Sequence, residues 1–147
     1  MTPQDLAALH ETAFVTPRPW RADEFAGFLA DPACDLVTLP GGFALIRIIA
    51  DEAELLTIAV APDHRRKGIA TGLLSHGMTR ANARGAITLF LEVAADNAGA
   101  IAFYEKAGFA RTGRRREYYT CRDGTRVDAL LMARDLSDST AEIPESG

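Results

Sequence analysis

Residues 58–71 read IAVAPDHRRKGIAT. An apolar run stops at Ala61-Pro62-Asp63, and three bases follow at Arg65, Arg66 and Lys67. Gly68 and Ala70 then open a stretch in which Ile69, Leu73, Leu74, Met78 and Ala81 recur at helical spacing. The pattern is a strand, a basic loop and a helix whose first turn carries little side-chain bulk. The first N–H groups of a helix lack internal acceptors and sit at the positive end of its dipole, so such a junction suits phosphate. It is not a P-loop and lacks the three-glycine dinucleotide pattern. On spacing alone, a basic turn before an ordinary helix reads the same way.

Upstream, Thr2-Pro3-Gln4-Asp5 predicts a helix start, with Leu6, Leu9, Ala13 and Phe14 on one side and Pro17-Arg18-Pro19 as the stop. A second helix is expected over 22–29. Residues 36–39 and 43–50, joined through Pro40-Gly41-Gly42, predict a hairpin, and Glu54 to Val60 a third strand. Downstream of the helix, Ile87, Leu89, Leu91 and Val93 alternate with Thr88, Phe90 and Glu92, as in a half-buried strand. A short helix over 97–107 closes at Gly108, and residues 109–120 and 125–133 predict a last hairpin. The order implies a mixed α/β (α+β) domain with a mostly antiparallel sheet and one parallel, right-handed crossover from Val60 to Val93.

Composition narrows the function. With 147 residues, 48% hydrophobic and 24% charged, the chain fits one folded domain, expected over 1–134, followed by an acidic, mobile tail over 135–147. The net charge of −4 hides a sorting: residues 1–55 hold nine acids and three bases, while 56–134 hold seven acids and thirteen bases. A basic half on an acidic protein suits a local anionic ligand better than nucleic acid. The longest apolar stretch, 41–50, is cut by Arg47, and the first residues lack the bases of a secretory signal, so a cytoplasmic address with no membrane partner is expected. Cys34 and Cys121 are isolated, and His10, His64 and His76 have no ligand spacing, so no metal and no disulfide framework are expected.

Two further runs accompany the basic loop: LEVAADNAGAIAFYEKAGF at 91–109 and GRRREYYTCRDGTRVDALLMA at 113–133. Together with Arg65-Arg66-Lys67-Gly68-Ile69-Ala70, they resemble the GCN5-related N-acetyltransferases (GNAT). The pattern is nearest to the bacterial ribosomal-protein alanine N-acetyltransferases of the RimI type. The likeness is close over 54–134 and only in outline before that. It implies the GNAT fold: about six or seven strands and four helices, with a splayed strand pair holding acetyl-CoA.

The resemblance also distributes roles. It implies that Arg65, Arg66, Lys67, Gly68, Ile69, Ala70 and Thr71 hold the pyrophosphate, and that Ile58, Ala59 and Val60 wall the acetyl group. The Val60 N–H would face the thioester oxygen. Glu92 matches the family's general base and Tyr104 its general acid toward the departing thiolate; a plain strand acid and a helix tyrosine remain the alternatives. Asn97 is either a simple helix cap or also a CoA contact. By the same likeness the hairpin carrying Arg114, Arg115, Arg116, Tyr118 and Tyr119 borders the acceptor channel. Trp20 either covers its entrance or anchors the core.

The expected activity is acetyl transfer from acetyl-CoA to a basic protein N-terminus, the alanine of a small-subunit ribosomal protein, by a monomeric enzyme. A lysine or small-molecule amine as acceptor is the alternative within the enzyme class. A non-catalytic CoA-binding module is the alternative outside it, and Glu92 with Tyr104 speaks against it. Ala70 replaces the commoner second glycine of the loop. Ala94, Glu117 and Thr120 depart from the usual Arg, Asn and Pro, and these positions concern the acceptor more than the cofactor.

Overall fold

A computed structural model describes residues 1–13, 20–65, 67–120 and 123–137. Helix α1 (Pro3–Ala13) starts on reciprocal bonds: the Asp5 N–H donates to Thr2 Oγ1 at 3.1 Å, and the Thr2 N–H donates to the Asp5 carboxylate at 3.0 Å. Helix α2 (Ala22–Ala30) is held at its start by Glu24, which accepts from the Arg21 N–H at 3.0 Å. Phe14 and the expected Pro17-Arg18-Pro19 stop lie outside the described residues, as do Arg66, Cys121 and positions 138–147.

The strands are β1 (Cys34–Leu39), β2 (Gly42–Ile49), β3 (Glu52–Val60), β4 (Thr88–Ala94), β5 (Ala110–Thr120) and β6 (Arg126–Asp135). They form one sheet in the order β1-β2-β3-β4-β6-β5, and every neighbouring pair is antiparallel except β3 and β4. Helix α3 (Ile69–Ala83) makes the crossover between that parallel pair, and α4 (Ala98–Lys106) follows β4. The expected mixed, mostly antiparallel α/β architecture is present, with six strands and four α-helices among the described residues.

Ile87 is a correction to the sequence reading. It lies before β4 rather than in it and is 48% exposed, with its N–H donating to the Asp51 carbonyl at 2.7 Å. At the other end, β6 runs to Asp135, and Leu136 is buried with its N–H on the Ile87 carbonyl.

The pleat sorts the core onto two faces. Ala44, Ile46 and Ile48 of β2, with Leu89, Leu91 and Val93 of β4, pack against Leu73, Leu74 and Met78 of α3 and Ile101 of α4. Phe43 and Leu45 point the other way, to Leu6 of α1 and Phe25 of α2. Truncating one of the fully buried leucines to alanine costs roughly 2–5 kcal/mol in such a core. Helix α3 approaches β2 closely at Gly77, where an added Cβ would run into Ile46 Cδ1.

One irregularity positions the site. Leu45 pairs with Thr57 but Ile46 pairs with Leu55, so Leu56 is an extra residue in β3. A one-residue slip exchanges the faces of a strand. Ala53 and Leu55 accordingly belong to the α3 side, whereas Ala59 belongs to the α1 and α2 side and Thr57 bonds to His10 of α1.

Candidate active site

Strands β3 and β4 pair only where Glu52–Glu54 meet Thr88–Phe90. Past that point the bulge bends β3, the strands separate, and a cleft of about 800 Å³ opens between them. The Ala61 N–H donates to the Gly41 carbonyl at 2.8 Å, toward β2. Since N–H groups alternate sides along a strand, that of Val60 points into the gap.

The residues lining the cleft include Ile58, Ala59, Val60, Arg65, Ala70, Asn97 and Tyr104. Gly68, the residue capping α3, adopts φ +74°, and no atom lies within 4 Å of where its Cβ would stand. Lys67 and Gly68 are exposed, Ile69 packs against the core, Thr71 is half-buried in the first turn, and Arg66 is outside the described residues. Asn97 caps α4 through Oδ1, which accepts from the Ala100 N–H at 3.2 Å. The cap occupies only the oxygen of the side chain, and Asn97 also lines the cleft.

Tyr104 is 7% exposed and lies between the rings of Phe103 and Phe109, at centroid distances of 5.3 and 5.7 Å. Burial, with a smaller effect from Tyr119, pushes its phenol well above the usual tyrosine range, so it is a neutral donor at any physiological pH.

The cleft also carries the acids Glu54, Glu92 and Asp96. Thr88, Phe90 and Glu92 point away from α3 and α4, and Glu92 lines the cleft with Glu54, Tyr118 and Tyr119. Glu54 pairs with Arg47 at 2.7 Å and Glu92 with Arg115 at 3.4 Å. Burial raises the Glu92 carboxyl, Arg115 pulls it back down, and Glu54 raises it further. Tyr119 is pushed up to about 12, first by burial and then by Glu92. Chemically, the cleft brings a carboxylate with elevated basicity and a buried phenol donor to one space, with a backbone N–H pointing in from β3.

A further bulge, in β5, delivers Arg115 and Tyr119. Register shifts between Arg115 and Tyr119, where Glu117 takes φ +49°. Asp128 on β6 holds the distortion by accepting from the Glu117 N–H at 2.8 Å and from Arg114 Nε at 2.6 Å. Arg115 also lies over the Tyr118 ring, 5.3 Å from its centroid. Trp20 lines the cleft, stacks on Phe28 at 5.0 Å and packs against the core around Phe25 and Phe43.

The sequence reading gave His10 no chemistry, yet it lines the cleft and is 2% exposed. The available signal was its position four residues after Leu6, on the buried face of α1. Among the described residues no group of three or more His, Cys, Asp or Glu side chains could hold a metal ion, and no helix is long and apolar enough to cross a membrane.

Comparison with known proteins bears directly on this geometry. The model of the Acetyltransferase (GNAT) family matches residues 5–109. [Ribosomal protein bS18]-alanine N-acetyltransferase of Escherichia coli K12 is 39% identical over 135 residues, covering 89% of this chain and 90% of that protein. N-alpha-acetyltransferase RimI of Mycobacterium tuberculosis is 35% identical over 144 residues, covering 92% and 87%. The crystal structure of the Escherichia coli ribosomal-protein-S18-alanine N-acetyltransferase superposes with a TM-score of 0.77 at 36% identity, covering 96% of this chain and 87% of that one. Arabidopsis thaliana NAA60 in complex with acetyl-CoA shares the fold, with a TM-score of 0.76 at 18% identity over 90% and 92% of the two chains. By sequence over most of its length and by fold, the chain belongs to the GNAT family and is an N-acetyltransferase.

Proposed function

We propose that this enzyme transfers the acetyl group of acetyl-CoA to the α-amine of an N-terminal alanine on a small-subunit ribosomal protein. It would act in the cytoplasm as a monomeric single domain. The observation that carries the acceptor assignment is the 39% identity, over 89% of the chain, to an enzyme named for alanine acetylation of ribosomal protein bS18.

The cleft residues fit acetyl-CoA. Arg65, Lys67 and the open helix start at Gly68 supply positive charge and donors for a diphosphate, and the apolar wall of Ile58, Ala59 and Val60 suits the acyl arm. Bound there, acetyl-CoA supplies an activated acyl thioester. The Val60 N–H is the donor for the acyl oxygen. Glu92 takes the proton of the attacking amine, and Tyr104 returns one to the sulfur that leaves. A free α-amine titrates at about 7.7–8.0, so a carboxylate with raised basicity is a sufficient base, whereas a lysine near 10.4 demands more. The carboxylates Glu54, Glu92 and Asp96 along the cleft suit a cationic peptide terminus.

The test is acetyl mapping by mass spectrometry, after incubating the enzyme and labelled acetyl-CoA with extract from a strain lacking it. A single labelled α-amine on an alanine-starting small-subunit protein is expected. Label on lysine side chains or on a small metabolite would overturn the acceptor assignment and leave acetyl transfer standing.

A further inference from the structure

His10 is the buried titratable group that this chemistry leaves unused. The Trp20 backbone N–H donates to its Nδ1 at 2.9 Å. A backbone amide only donates, so Nδ1 holds the lone pair and the ring proton sits on Nε2. That proton is donated to Thr57 Oγ1 at 2.9 Å. The ring packs among Trp20, Phe25 and Phe43, with centroid distances of 5.2, 5.5 and 6.3 Å. Desolvation keeps it neutral, against the pull of Glu24 on α2.

The two bonds join the residue leading into α2 to β3, at the first residue past its bulge. Trp20 and Thr57 both line the cleft on the α1 and α2 face of the sheet, the face to which Glu92 also points, since its neighbours Leu91 and Val93 pack toward α3 and α4. A neutral imidazole with one donor and one acceptor fits both partners; an apolar ring of the same size would leave a backbone N–H and a hydroxyl without them.

We propose, given acetyl transfer at this cleft, that His10 is a positioning residue for the acceptor. By clamping Trp20 to β3 it sets the wall against which the first residues of the acceptor peptide lie. It touches no reacting atom and acts through Trp20 and Thr57, so its influence falls on the acceptor and not on acetyl-CoA.

Trp20 is the single tryptophan of the chain, so its fluorescence reports the clamp whether or not acetyl transfer is measured. His10→Phe keeps an aromatic ring, somewhat larger than imidazole, and loses both bonds, while the amide of His10→Gln can accept from Trp20 and donate to Thr57. In His10→Phe, acrylamide quenching of Trp20 should rise about twofold and KM for an alanine-starting peptide about tenfold, with KM for acetyl-CoA held within about twofold. His10→Gln should recover most of both losses. Thr57→Val removes one bond and should fall between, which keeps the test open if His10→Phe does not fold. Unchanged quenching in both His10→Phe and Thr57→Val overturns the clamp. So does a parallel rise in both KM values, or a His10→Gln enzyme as impaired as His10→Phe. A wild-type enzyme that acetylates no peptide overturns the acetyl-transfer reading instead, and the quenching still decides the clamp.

Discussion

Arg115 Nε lies 3.4 Å from a carboxylate oxygen of Glu92, reaching across β6 from the edge strand β5. The guanidinium is half exposed and the carboxylate mostly buried, so the pair matters less for stability than for the charge state of Glu92. Burial raises the Glu92 carboxyl, Arg115 opposes it, and Glu54 adds to it. A base works deprotonated, so Arg115→Gln should move the acid limb of the kcat/KM profile to higher pH, with Arg115→Lys nearer wild type. The stability sign follows from the raised carboxyl. Its contribution is fully present below the unfolded carboxylate pKa and is lost as pH rises through the folded one. An acid limb that does not move in Arg115→Gln counts against both the pairing and the role of Glu92.

Glu92→Gln keeps shape and removes the base. Turnover should drop by about 10²–10⁴-fold, whereas calorimetric binding of acetyl-CoA stays within about twofold. Unchanged turnover removes Glu92 from the mechanism.

Tyr104→Phe deletes only a hydroxyl among Ile101, Phe103 and Phe109, so stability should change by no more than about 1 kcal/mol. If the phenol protonates the leaving sulfur, kcat should fall about 10²-fold with KM for acetyl-CoA little altered. Single-turnover kinetics with an acyl donor whose thiol is more acidic should narrow the gap.

Gly68→Ala meets no neighbour, so its effect is conformational: the left-handed φ of +74° costs about 1 kcal/mol with a Cβ present, or roughly 2–4 °C in Tm for a chain of this size. Affinity for CoA should weaken about tenfold, measured by calorimetry, because the loop that presents the first α3 amides must relax. Retained affinity would detach this loop from the diphosphate.

His10 is held at about 4 by burial, with Glu24 opposing. Its folded pKa lies below the unfolded 6.5, so between those values the unfolded chain binds the proton first and stability rises with pH. Wild-type protein should lose on the order of 2 kcal/mol more than His10→Gln between pH 7 and pH 4.5, read from urea denaturation. Equal losses would show that His10 is not the group that titrates.

Much of the fold was legible because its signals are local. Thr2, Pro3 and Asp5 announce the first helix through neighbours three residues apart, and Leu73, Leu74 and Met78 mark the buried stripe of α3 by spacing alone. Ile87 deceived the pattern because its alternation with Leu89 continues past the start of β4, to a side chain that no layer covers.

The linear chain thus determined the element order, the glycine-opened helix behind a basic loop, and the runs through Glu92 and Tyr104 that mark the family, since propensity, periodicity and motif spacing depend on near neighbours. Only the folded molecule decided that Leu56 bulges out of β3, for in ELLTIAVA each alternating set is mostly apolar with one polar residue, Glu54 or Thr57, and carries no parity to read. It alone brought Arg115 to Glu92, and His10 to Thr57 across 47 residues. Such contacts depend on strand register and on the packing of whole layers, which no window of neighbouring residues contains.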